Sequence, residues 1–209
     1  GGWFALSQSH YERHIDYHVG IHLKEVIEKL DSFLSGEYIG KIIIGGSDEA
    51  VSMVKGMLHK KMLDKVIGSV KIEMFANSSE VLSKVEPMVL NYERKKEEET
   101  VEALITQAMK NKDAVIGLED VLNALQEQRV MKLILAKDFK ISGYSCSSCG
   151  FLTIQKVTPC PYCKGKMEMV DYLIGLAGEK AIGQGALVEI LADNKKLLEA
   201  GGIGAFLRF

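Results

Sequence analysis

Cysteine is absent from residues 1–145 and again from 164–209, tryptophan occurs once, and proline only three times in 209 residues. A disulfide framework therefore cannot hold most of this chain, and a core must come from its 47% hydrophobic content, which is ordinary for a globular protein. Neither sign of charge dominates: the formal net charge is −2, so bulk attraction to nucleic acid is excluded and any such contact must be local. No apolar run reaches the ~20 residues of a membrane-spanning helix. No charged and then apolar leader opens the sequence, so membrane partners are not expected and a cytoplasmic setting is. Internal repeats and low-complexity segments are missing too, which leaves one or two ordinary folded domains. The sequence opens abruptly at Gly1, Gly2 and Trp3, within what reads as a loop, and an N-terminal portion is expected to precede it.

The four cysteines sit together as Cys146-x-x-Cys149 and Cys160-x-x-Cys163. Two such pairs about ten residues apart have the spacing of a zinc ribbon, because each pair on a tight turn aims two thiolates at one ion. Gly150 and Gly165 follow the two pairs, where a chain wrapping sulfurs around a metal is expected to need positive φ. Two disulfides are the alternative, disfavoured in a reducing compartment. Four sulfurs leave no open coordination position, so the zinc is expected to be structural rather than catalytic.

Along the chain, Ser9 and Glu12 read as a capping box opening a helix. It carries Ile15, Val19, Leu23, Val26, Ile27, Leu30 and Phe33 at helical spacing and should end near Ser35 and Gly36. A β-branched run from Tyr38 to Ile44 predicts a buried strand that turns at Gly45, Gly46 and Ser47 into a helix over 48–64. Alternation predicts a strand from Val66 to Phe75, then helix from Ser78, interrupted at Pro87 and resumed from Met88 to Lys110. Strands at 114–116, 130–136, 186–191 and 205–209 alternate with helices at 118–128, 170–181 and 194–200. This order argues for α/β layering in both halves. The charge run from Tyr92 to Glu99 reads as a solvated helix face and marks the domain boundary, giving 1–90 and 91–209, with the ribbon inserted at about 141–168.

Other constellations read more plainly. His10, His14, His18 and His22 recur every four residues, but that step drifts by ~40° each time on a helix, so a solvated or RNA-facing row is expected rather than a metal site. Lys55, Lys60, Lys61, Lys65 and Lys71 form the clearest basic patch. Gly45, Gly46 and Ser47 lack the Gly-Lys-Ser/Thr ending of a phosphate loop, so nucleotide binding is not expected. Met53, Met57 and Met62 read as core filler.

Three stretches carry a family resemblance. The closing GGIGAFLRF of Gly201–Phe209 resembles the end signature of archaeal and eukaryotic class-1 peptide chain release factors. VIGLEDVLNAL at Val115–Leu125, followed by VMKLIL at Val130–Leu135, resembles the start of their third domain. The Tyr38–Ser47 strand and turn, placed after a helix beginning Tyr11-Glu12-Arg13-His14, resembles their middle domain. The resemblance extends to the ribosome-rescue relatives of this family. It implies a ribonuclease H-like middle domain and a C-terminal α/β domain like the kink-turn-binding ribosomal proteins, in which archaeal members carry a similar Cys-x-x-Cys ribbon. It implies action at the ribosomal A site in termination or rescue, with the large subunit and its rRNA, peptidyl-tRNA, a translational GTPase and an ABC-type recycling ATPase as partners. The family's codon-reading first domain has no counterpart in this sequence. Its functional loop is Gly-Gly-Gln, and by resemblance Gly1, Gly2 and Trp3 stand in that loop, with Trp3 in place of the glutamine. An indole donates a hydrogen bond but has no carbonyl to orient water, which puts peptidyl-tRNA hydrolysis in doubt. Two other readings stay open at this point: a non-catalytic adaptor recruiting the GTPase or ATPase to stalled ribosomes, and a free RNA-binding zinc-ribbon module.

Overall fold

The computed structural model describes residues 19–34, 40–192 and 194–209. The chain forms two compact units, Gly1–Tyr92 and Glu93–Phe209. The start of the first predicted helix, with Ser9, His10, His14 and His18, lies outside the described residues, as do Gly1, Gly2 and Trp3.

In the first unit, helix α1 covers described residues 19–34. Strand β1 (Ile42–Gly46) leads into helix α2 (Asp48–Met57), a short helix α3 (Lys60–Leu63) and strand β2 (Val66–Lys71), which pairs parallel with β1. Ser47 explains the sharp start of α2: its hydroxyl accepts from the Ala50 amide at 3.2 Å, satisfying one of the free N–H groups of the first turn. The expected helix over 48–64 divides instead at Leu58 and His59, both extended. That break lets Leu58 and Met62 both turn inward, onto Ile42, Ile44 and Val51. From α1, it is Ile27, Leu30 and Leu34 that pack on this core, an i, i+3, i+7 stripe, while Val26 and Phe33 are exposed. Of the three methionines read as filler, Met62 is fully buried and Met53 exposed. Helix and strand approach closely at Gly68, where a Cβ would lie 2.4 Å from the Met88 methyl.

Helix α4 (Ser78–Met109) is continuous, with Pro87 inside it, so the expected interruption does not occur. A reciprocal box starts it, Asn77 N–H donating to Glu80 Oε2 at 2.9 Å and Glu80 N–H to Asn77 Oδ1 at 3.0 Å. Pro87 removes only the bond that Ser83 C=O would accept, and turns on both sides carry the helix through.

The second unit begins within α4. Its sheet has the order β3-β9-β4-β8, built from β3 (Ala114–Ile116), β4 (Val130–Ala136), β8 (Leu187–Leu191) and β9 (Ile203–Leu207). The β4–β8 pair is parallel, the others antiparallel. Residues 133–136 at the end of strand β4 are apolar and buried because both faces are covered there. Leu133 and Leu135 pack with helices α5 (Leu118–Gln126) and α6 (Leu173–Gly183), while Ile134 and Ala136 pack with Val101 and Leu104 of α4 and Leu197 of α7 (Lys195–Glu199). The unit is thus a three-layer α/β structure. Between β4 and α6 the chain makes a small antiparallel sheet, β6-β5-β7, from β5 (Gly143–Cys146), β6 (Leu152–Thr153) and β7 (Met167–Val170).

Candidate metal centre

The small sheet brings the four cysteine sulfurs within 4.8 Å of one another. Cys146 Sγ lies 3.4 Å from Cys163 Sγ, and Cys149 Sγ 3.7 Å from Cys160 Sγ. None is disulfide-bonded; Cys146 and Cys160 are buried, Cys149 and Cys163 exposed. A tetrahedral ion with metal–sulfur bonds of ~2.3 Å needs sulfurs ~3.8 Å apart, so this donor set fits a metal ion in both chemistry and size.

The backbone reason is a pair of matching turns. Cys146 N–H donates to Phe151 C=O at 2.8 Å and Cys160 N–H to Gly165 C=O at 3.0 Å, the same five-residue step. Gly150 N–H donates to Cys146 C=O at 3.0 Å and Lys164 N–H to Cys160 C=O at 2.9 Å, a four-residue step in both. The residue after the second cysteine is left-handed in both, with φ +65° at Gly150 and +62° at Lys164. The positive φ expected at Gly165 falls instead on Lys164. Gly165 is required for another reason: a Cβ there would lie 2.6 Å from Ser148 Oγ and 3.1 Å from Cys146 Sγ.

Amide N–H groups of Cys149 and Ser148 aimed at Cys146 hold its thiol down at about 6. Desolvation, followed by the hydrogen bonds of neighbouring thiols, pushes Cys149 up to about 12. Four thiols this close cannot all ionise unaided, and a bound divalent cation supplies the charge that lets them do so.

Two links tie this centre to the α/β layers. Lys180 of α6 donates to Gly150 C=O at 2.7 Å and to Gln126 Oε1 at 2.6 Å, and Gln155 Nε2 donates to Glu119 Oε1 of α5 at 3.0 Å. Burial holds the Lys180 ammonium below its ordinary range, against a favourable pull from Cys149. Sequence reading missed Lys180, because nothing local marks a lysine that acts across thirty residues. Beside Gln155 and Glu119, an open groove of ≈ 180 Å³ lies between α5 and β6, floored by Leu122 and Phe151.

The other sequence candidates are placed less tightly. His22 is exposed, 4.0 Å from Glu25, and no metal-sized group beyond the four cysteines exists among the described residues. His59 Nε2 lies 3.2 Å from Asp31 Oδ1. Lys60, Lys61 and Lys71 are exposed, while Lys55 is held at 3.2 Å from Ser69 Oγ. No helix among the described residues is long and apolar enough to cross a membrane.

Residues 1–89 match the model of the Bacterial archaeo-eukaryotic release factor family 10. No curated protein matches the chain. Among solved structures, an archaeal Pelota in a model of its ribosome-bound complex with ABCE1 is similar at TM-score 0.55 and 14% identity, over 90% of this chain and 48% of that one. Archaeoglobus fulgidus Pelota gives 0.48 and 20%, over 90% and 53%. The C-terminal domain of the Methanosarcina mazei peptide chain release factor gives 0.43 and 20%, over 65% and 97%. The chain thus spans about half the length of the Pelota proteins. The ribosome-bound Pelota carries the likeness in fold, and residues 1–89 are similar to the bacterial archaeo-eukaryotic release factor family 10.

Proposed function

We propose that this chain is a release-factor-like translation protein that enters the ribosomal A site in peptide chain termination or ribosome rescue. The family match over residues 1–89 carries this reading. On it, the first unit is a ribonuclease H-like middle domain. The second is a kink-turn-ribosomal-protein-like domain, a reading supported by the β3-β9-β4-β8 order between helical layers. The setting is the cytoplasm, and the contacts are large-subunit rRNA and peptidyl-tRNA. A recycling ATPase or translational GTPase is the further partner; the similar archaeal Pelota is described together with ABCE1 on the ribosome.

The ion at Cys146, Cys149, Cys160 and Cys163 is zinc on this reading. Tetrahedral tetrathiolate sites favour it, and its role is to hold the two turns together. Elemental analysis of protein purified without chelator is expected to find one zinc per chain, lost in a Cys160→Ser, Cys163→Ser double variant.

Gly1 and Gly2 supply bare backbone that can approach an ester closely, and Trp3 occupies the glutamine position. Trp3 favours a second reading, a non-catalytic adaptor that recruits the GTPase or ATPase to stalled ribosomes. Release of formyl-methionine from programmed ribosomes separates the two. Wild type is expected to release poorly, and Trp3→Gln to raise the rate by on the order of 10²–10³, the usual worth of one positioned polar group. Release by wild type as fast as by a glutamine-bearing relative would show that Trp3 is not the counterpart of that glutamine.

A further inference from the structure

The two cysteine turns match in hydrogen bonding and in φ, but they differ in what they place at the left-handed position. The first uses Gly150, which adopts φ +65° without strain. The second uses Lys164 at φ +62°, a conformation that disfavours any residue with a Cβ. A glycine in its place would close the same turn at lower cost, so the lysine side chain is not there for the fold. Its ammonium has no hydrogen-bond or ion-pair partner among the described residues, nor has that of Lys156.

The same turn exposes an aromatic ring. Tyr162 is 57% exposed, and its ring is propped at 4.8 Å and 49° against the buried Phe151. One side of the ring is thus braced by the ribbon's own core and the rest is open to solvent. The surrounding charge is one-sided. Residues 139–167 hold four lysines, Lys140, Lys156, Lys164 and Lys166, and no aspartate or glutamate, in a chain whose net charge is −2. A divalent ion on four thiolates still leaves this stretch positive. Lys166 alone of the turn's lysines is paired, with Glu168 at 2.9 Å.

We infer that the second cysteine turn is an RNA contact, in which Tyr162 stacks on an unpaired base while Lys164 meets a flanking phosphate. A braced, exposed ring with an unpaired ammonium in the same turn is the combination that single-stranded RNA uses, since every base offers a π-face and every linkage a phosphate. An acidic peptide is the rival occupant. It would need a groove for an extended chain, and the turn from Cys160 to Lys164 is instead a projecting loop. The inference deepens the ribosomal reading above, on which it rests for RNA as the natural ligand, yet it is testable away from the ribosome.

The test is fluorescence anisotropy of a labelled, unstructured twelve-nucleotide RNA titrated with the full zinc-loaded chain over a series of salt concentrations. Lys164→Gly is expected to weaken binding roughly threefold to tenfold and to flatten the salt dependence by ~0.7 of a unit, one phosphate on a single strand. Tyr162→Ala should weaken it by about tenfold or more. Lys164→Gly should also melt at the same temperature as wild type or higher, because glycine relieves the backbone, so a loss of RNA binding cannot be a loss of folding. Unchanged RNA affinity in both variants would overturn the inference, as would tighter binding of a polyglutamate peptide than of RNA. If both variants bind RNA as wild type does while the wild-type chain still binds ribosomes, this inference falls and the release-factor reading stands.

Discussion

Lys180, on helix α6, holds the first cysteine turn by the carbonyl of Gly150, 2.7 Å from its ammonium, and spans to Gln126 of α5 at 2.6 Å. One side chain thereby joins two core helices to the residue that follows a candidate metal ligand. Replacing it leaves two partly buried acceptors unmet. Lys180→Met is expected to destabilise the second unit by about 1–2 kcal/mol, the loss of a charge-assisted bond less the relief of burying an ammonium. Amide exchange should quicken first in residues 146–151; uniform change across the unit would show that the link is not local.

Glu97 on α4 offers a pH-dependent handle. Burial, then the charges of Glu189 and Glu93, raise its pKa above the usual carboxylate value of 4.5, with Arg94 opposing. A carboxyl whose folded pKa is raised disfavours the fold when ionised, so its penalty is present at neutral pH. The penalty is lifted as pH falls through the folded value. Glu97→Gln should therefore raise the urea midpoint at pH 7 and lose that advantage near pH 4. An equal gain at both pH values would contradict the assignment.

Close packing of α4 on the sheet leaves little room for a side chain at Gly204. A Cβ there would lie 2.5 Å from Leu104 Cδ2 and 3.2 Å from the Val115 carbonyl oxygen. Gly204→Ala is expected to cost about 1–3 kcal/mol by overpacking, measured by chemical denaturation. Leu133→Ala, a fully buried position on β4, should cost about 2–5 kcal/mol.

Exposed Lys60 and Lys61 on α3 are available to solvent on the first unit. Reversing both to glutamate should weaken rRNA or ribosome binding and flatten its salt dependence by about one unit for each phosphate no longer met, with the unit still folded. An unchanged slope would reduce the patch to a solvated face.

Local rules made much of the architecture legible before the structure. The strand expected at 130–136 and the helix starts expected near Asp48 and Asn194 are found, and in the structure the Ser47 and Asn194 side chains cap those two helices. The convergence of four sulfurs followed from the paired Cys-x-x-Cys spacing. What escaped is tertiary in origin. Glycine identity pointed to Gly165 for a positive φ, but the turn fixes that conformation four residues after its first cysteine, whatever residue stands there, and Lys164 does. The break at Leu58 and His59 and the passage of α4 through Pro87 depend on packing and on neighbouring turns, which periodicity does not report. The pairing of β9 between β3 and β4 and the Lys180–Gly150 bond join residues far apart in sequence, where local pattern carries no signal.

Entry into the ribosomal A site can be tested by cosedimentation. Purified chain is mixed with ribosomes that carry peptidyl-tRNA and an empty A site, and in parallel with ribosomes whose A site is filled by aminoacyl-tRNA, then pelleted through sucrose. The chain is expected to pellet with the first and largely to stay in solution with the second. Equal pelleting with both, or with neither, would contradict it.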